Sequence, residues 1–137
     1  MTQQESGYGA EGPRTIQEVL NSHLHHRTVG DLEGDLRENY ADDVVLLSAE
    51  GVHRGHDGVR HLADVLQSYI QDGSYQFHKL LTDGEIGMLV WTGSTDELKI
   101  HDGVDSFVVR DGRITAQTIH YSTRHDRPAV THPTGCV

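Results

Sequence analysis

Apolar residues in this chain change period midway, from helical spacing to alternation. In the first part Ile16, Val19, Leu20 and Leu24 recur three and four residues apart, with His23 on the same stripe, which predicts a helix from near Pro13 to about Arg27. Proline is tolerated in a first helical turn. Val29 and Gly30 end this helix, and Asp31 is suited to cap a short second one with Leu32, Leu36 and Tyr40 on one side. Asp42 and Asp43 then turn into a strand, Val44 to Ser48, which reverses at Ala49 to Gly51 and returns through Val52, His53 and Arg54. A third helix opens at Gly55 to Gly58, buries Val59, Leu62, Ala63, Leu66 and Ile70, and stops at Gly73.

From Tyr75 onward the pattern is that of strands. Tyr75 to Leu81 pairs with Ile86 to Gly93 across Thr82 to Glu85; Glu97 to Val109 follows, with Gly103 as a bend or bulge, and Ile114 to Ser122 comes last. The final two runs meet at Asp111 and Gly112, a dipeptide that favours a tight turn with positive φ. Alternation puts Asp105, Phe107 and Val109 on one face and Val104, Ser106 and Val108 on the other. A carboxylate sharing a face with Phe107 and Val109 is costly if that face is buried, unless it is paired or protonated. The bland alternative is an aspartate beside a bulge, facing solvent or bonded to backbone amides. The last strand likewise offers two sets, Gln117 with Ile119 and Tyr121, or Thr118 with His120 and Ser122, and a one-residue slip exchanges them.

Helices at the front and an antiparallel meander at the back predict an α+β domain, with three helices packed on one face of a sheet. A strongly curved sheet wrapped in this way leaves a conical cavity, and such a concavity is where a small ligand binds.

Composition trims this picture at both ends. Hydrophobic residues make up 35% of the 137, a low share that two polar stretches help explain. Residues 1–13 lack periodicity and are expected to be a disordered arm; residues 124–137 mix charge, proline and glycine and are expected to be a flexible tail, leaving one domain over 14–123. The formal charge is −10, from 11 Lys and Arg against 21 Asp and Glu, so neither nucleic acid nor an anionic membrane is an expected partner. A lone cysteine, Cys136, fits a reducing compartment and forbids an internal disulfide. No apolar run reaches membrane-spanning length and the start lacks a signal-peptide pattern, so a cytoplasmic location is expected.

Element order and local wording together resemble the nuclear transport factor 2-like superfamily, in particular its SnoaL-like and ketosteroid-isomerase-like members. The residues that carry the resemblance are Gly30 to Glu33, Tyr40 to Val44, Arg54 and Gly55 with Gly58, and Gly103 to Ile114. They span nearly all of 14–122. The resemblance implies a cone-shaped fold, with a curved, largely antiparallel (mixed) sheet wrapped by three helices. It does not settle activity, because such folds host isomerases, cyclases, dehydratases, hydrolases and pockets without catalysis. By the resemblance, Asp105 takes the place of the aspartate that donates a hydrogen bond to the substrate oxyanion in ketosteroid isomerases. The general-base aspartate of those enzymes falls on Ser48 and their oxyanion-hole tyrosine on His23. Serine cannot abstract a carbon-bound proton unaided, so steroid isomerisation is not the implied chemistry.

Two side chains remain as catalytic candidates. Asp105 is the first, and His23 the second: from the inner side of the first helix it could meet Asp105 across the cavity as a His–Asp dyad, with the imidazole as general base. Otherwise His23 is a half-buried histidine bonded within the helices, or one of a surface cluster with His25 and His26. By the resemblance Gln117 and Tyr121 line the pocket with Ser48, while His120 faces outward or towards a partner subunit; because a register slip would turn it inward, His120 stays a second-rank candidate for the pocket. Tyr40, Trp91 and Phe107 are read as core or pocket wall. His53 with His56, and His23 with His26, have metal-like spacing, yet no HExxH motif or cysteine cluster accompanies them, so no metal or cofactor is expected. There is no Gly-x-Ser-x-Gly elbow, phosphate loop or dinucleotide fingerprint. The sequence thus points to a homodimeric pocket protein for a small apolar molecule, with cofactor-independent acid/base catalysis set against a non-catalytic binding or dimerisation module.

Overall fold

The structure, a computed structural model, describes residues 14–70 and 74–125. The expected arm at 1–13, the stop at Gly73 and the tail from 126 onward lie outside the described residues. Helix α1 (Ile16–Val29) starts where Thr15 and Glu18 form a capping box, each side chain bonding the other's backbone amide. It runs two residues beyond Arg27 and ends at Gly30 in the left-handed conformation. Asp31 caps α2 (Leu32–Asn39) by accepting from the Gly34 amide at 2.9 Å.

Strand β1 (Tyr40–Ser48) follows α2 without a loop, so Asp42 and Asp43 lie within a strand rather than in a turn. Both are exposed, and the pairing of β1 with β6 shifts register between Tyr40 and Val45, which accommodates the acidic pair on an irregular stretch. β2 (Gly51–Arg54), α3 (Gly55–Tyr69), β3 (Ser74–Asp83), β4 (Ile86–Ser94), β5 (Leu98–Arg110), β6 (Arg113–His120) and β7 (Arg124–His125) complete the chain. The ordered sheet therefore takes in Arg124 and His125, which pair with Lys99 and Leu98.

The sheet order is β2-β1-β6-β5-β4-β3, with β7 on β5; β1 and β6 run parallel and the other pairs antiparallel. Register shifts interrupt the β3–β4, β4–β5 and β5–β6 ladders as well, and each bulge bends and twists its strand. The result is an α+β cone: three helices over a curved, unclosed mixed sheet. Asp111 (φ 52°) and Gly112 (φ 76°) supply the paired positive φ that a two-residue hairpin needs between Arg110 and Arg113.

That turn fixes which face of the last two strands looks inward. On β5 every second residue from Gly103 to Val109 is buried, so Asp105 shares the inner face with Phe107 and Val109. Opposite Asp105 on β4 stands Leu89, and on β6 Ile119. The core beneath includes Val19, Leu20, Leu36, Val44, Leu46, Ile100 and Ile114, each at most 1% exposed. No described helix is long and apolar enough to cross a membrane.

Candidate functional site

Between the helices and the concave sheet lies a cavity of about 420 Å³, large enough for a small organic molecule. Its walls are mostly aliphatic and aromatic: Leu24 from α1, Leu62 and Leu66 from α3, Leu89 and Trp91 from β4, Tyr121 beyond β6. Five polar or charged side chains are buried among the described residues: His23, Asp35, Asn39, Asp105 and Gln117. All five belong to two hydrogen-bonded groups that converge on this cavity. A fold that needed only a core would place apolar residues there, so the concentration of polar groups points to function.

The first group is built on the sheet. Asp105 Oδ1 accepts from the Trp91 indole Nε1–H at 3.0 Å, and Oδ2 from the Gln117 Nε2–H at 3.0 Å. Gln117 Oε1 in turn accepts from the Tyr40 hydroxyl at 2.5 Å, which orients the amide. Glycine at 103 makes this possible: a Cβ there would stand 2.3 Å from Trp91 Cε2, so the indole can lie across β5 only because position 103 has none. Burial pushes the Asp105 carboxyl above its ordinary pKa; the Trp91 bond, the nearby His23 and the Gln117 bond oppose that push without cancelling it. Burial likewise drives the Tyr40 hydroxyl well up.

Helix α1 and helix α2 supply the second group. His23 Nδ1 lies 2.7 Å from Asp35 Oδ2, with the two side chains 6% and 1% exposed. Asp35 Oδ1 also accepts from Asn39 Nδ2 at 2.8 Å, and Arg14 Nη1 donates to Asn39 Oδ1 at 2.9 Å. A carboxylate at Asp35 can only accept, which puts the hydrogen of this contact on His23 Nδ1; whenever the ring is neutral, Nε2 then keeps its lone pair. Nε2 has no hydrogen-bond partner among the described residues, and the ring lines the cavity. Edge contacts with Tyr40 (centroids 5.8 Å) and Phe107 (5.5 Å) hold the imidazole in place.

The expected His23–Asp105 hydrogen bond is therefore replaced by His23–Asp35. The tight α1–α2 connection at Gly30 folds α2 back along α1 and brings Asp35 to Nδ1. His23 and Asp105 still face one cavity, close enough for charge on the ring to act on the carboxyl. Tyr40, Ser48, Trp91, Gln117 and Tyr121 line the cavity. Ser48 Oγ accepts from the Glu50 amide at 3.0 Å, a turn bond. Phe107 is 1% exposed and packs behind the His23 ring. The His120 side chain is 70% exposed on the outer face, 3.5 Å from Asp102, and has no place in the cavity.

Sequence reasoning missed Asp35, and a signal for it exists. Leu32, Asp35, Leu36 and Asn39 form a helical stripe in which two of four residues are polar, and the cap at Asp31 turns that stripe inward. Two of the histidines with metal-like spacing have other neighbours: the His53 ring lies tilted by 52° against His61 (centroids 4.8 Å), and His56 Nε2 meets the Tyr40 carbonyl at 3.2 Å. Among the described residues, no group of three or more His, Cys, Asp or Glu is placed to hold a metal ion.

Three helices over a curved, unclosed mixed sheet define the class as the nuclear transport factor 2-like fold. A family model for the SnoaL-like domain matches residues 20–117, and the chain belongs to that family. Among solved structures it is similar to an NTF2-like protein of unknown function from Burkholderia xenovorans, at 17% identity and a TM-score of 0.66 over 82% of this chain and 87% of that one. A candidate SnoaL-like polyketide cyclase from Mesorhizobium loti is 21% identical, with a TM-score of 0.57 over 79% and 100%. TerC, co-crystallised with polyporic acid, is 18% identical, with a TM-score of 0.63 over 77% and 90%. No curated protein matches the sequence. At these identities the structural likeness establishes the fold alone.

Proposed function

We propose that this protein is an acid/base catalyst, independent of any cofactor, acting on a small and largely apolar carbonyl compound. The observation that carries this reading is the His23–Asp35 pair, whose free imidazole nitrogen faces the same cavity as Asp105. Nε2 of His23 takes a proton from the carbon next to the carbonyl, and Asp35 steadies the imidazolium that forms. Asp105, in its protonated form, gives a hydrogen bond to the carbonyl oxygen as that oxygen gains charge. The imidazolium then returns the proton to carbon, or to an oxygen leaving group, so an isomerisation, cyclisation or dehydration closes without a net proton change. The likeness to a candidate polyketide cyclase is compatible with such chemistry.

Hydrogen exchange tests the reading without knowledge of the natural substrate. 2-Tetralone incubated with the protein in D₂O should lose its α-protons faster than in buffer, as followed by NMR, and His23→Gln should abolish the gain. A binding module is the second reading, favoured by the internal partners that already occupy both oxygens of Asp105. Saturable binding of 2-tetralone with exchange no faster than buffer would decide for it. The chain is further taken to pair with a second copy through the outer face of the sheet, where Leu47 and Val52 are 46% and 59% exposed; a monomer in light scattering would refute this.

A further inference from the structure

One cavity-lining cation plays no part in either network. Arg27 continues the inner stripe of α1 one turn beyond His23 and lines the cavity wall. Among the described residues its guanidinium has no hydrogen bond and no ion pair. The other arginines that face packed elements are engaged: Arg14 bonds Asn39, Glu38 and Gly112, Arg60 bonds Glu33 and Asp57, and Arg113 bonds the Arg37 carbonyl. The C-terminal end of α1 favours a cation at this position, but that preference is met as well by a side chain in solvent. A guanidinium turned to a mostly apolar wall without an acceptor leaves its forked donors for whatever fills the space.

The remaining wall limits what that is. Tyr69, Tyr121, Trp91 and Tyr75 form a chain of ring contacts along the cavity, with centroids 6.2 Å, 5.8 Å and 5.8 Å apart. Ring faces and edges of this kind receive a planar ring system. The positive charge of Arg27 reaches Asp105, Tyr40 and Tyr75, where it opposes the dominant upward push of burial on each group. Asp35 is already satisfied by His23 and Asn39 and so does not call for a cationic ligand.

We infer that the ligand is a planar, ring-bearing anion, with a carboxylate or enolate oxygen on Arg27 and its ring against Tyr121, Trp91 and Tyr75. This rests on the acid/base reading of the same cavity and narrows it from an apolar molecule to an apolar body with one acidic end. The acidic end on Arg27 leaves the opposite part of the ring system towards His23 and Asp105.

Calorimetric titration of the full chain with 2-naphthoate, 2-naphthamide and (2-naphthyl)trimethylammonium tests this. The carboxylate should bind about ten- to a hundredfold more tightly than the amide, as expected for a hydrogen bond gained by a charged group. Arg27→Gln should bring the two within about threefold of each other, and Arg27→Lys should restore part of the preference. Equal binding of carboxylate and amide, a preference for the ammonium, no binding of the carboxylate, or a preference that survives Arg27→Gln would each overturn the inference. Because no turnover is involved, such a failure leaves the exchange result with 2-tetralone standing, and a failure of exchange leaves the binding preference standing.

Discussion

Asp35 Oδ2 stands 2.7 Å from His23 Nδ1, with both side chains shut off from solvent by the packing of α2 on α1. Removing the Asp35 carboxylate leaves the buried Nδ1–H of His23 without an acceptor. Asp35→Ala should therefore lower stability by about 1–3 kcal/mol in a denaturant titration, beyond a typical surface substitution. Asp35→Asn, which retains the shape, should cost less stability and still slow exchange of 2-tetralone by at least about a hundredfold, by releasing the tautomer of His23.

Asp105 gives a prediction of opposite sign. Burial raises its folded-state pKa, so the folded protein binds that proton more tightly than the unfolded chain does. The stability this contributes is full below the ordinary aspartate pKa and is lost as pH rises through the folded value. Asp105→Asn, which cannot ionise, should accordingly have a higher Tm than the wild type at pH 8, with the gap closing towards pH 4. The same variant should lose activity, the signature of a group kept at the expense of stability. A lower Tm for the variant at every pH would contradict the assignment.

Gly103 is predicted to be intolerant of even a methyl group. Its added Cβ would meet the Trp91 indole at 2.3 Å and 2.4 Å, and the indole would have to leave the Asp105 oxygen. Gly103→Ala should destabilise by about 1–3 kcal/mol and shift tryptophan emission, Trp91 being the sole tryptophan. An unchanged spectrum would mean that the indole does not lie across β5.

Tyr121 lines the cavity and is half-buried. Burial, helped by the neighbouring Tyr69, pushes its hydroxyl up to about 12. In an ultraviolet titration, Tyr121→Phe should remove a phenolate transition near that pH. A bound naphthoate should raise the Tyr121 transition further by excluding water.

The fold was legible because its signals are local and repeated. Helical spacing from Ile16 to Leu24, the Asp31 cap, the Asp111 and Gly112 turn and the alternation from Gly103 to Val109 each specify geometry within a few residues. Alternation sorted the residues of the site-bearing strands into two faces but left open which face looks inward; in the structure Asp105 and Gln117 are buried and His120 is exposed. The site was legible only in part. Asp105 and His23 stood out as polar groups on apolar faces, but the choice between two carboxylates for Nδ1 depends on how α2 packs against α1, which no spacing encodes. Arg27 was passed over for a different reason. It sits at the edge of the α1 stripe, where an arginine ordinarily extends into water.

The central claim is that Asp35 holds His23 with its bare nitrogen towards the cavity, and the imidazole ¹⁵N spectrum reads this directly. Free histidine favours the hydrogen on Nε2, so the tautomer is diagnostic. In the neutral ring of His23 the hydrogen should lie on Nδ1, and Asp35→Asn should abolish that preference. A neutral His23 that carries its hydrogen on Nε2 would leave no base facing the cavity, and the catalytic account would fall.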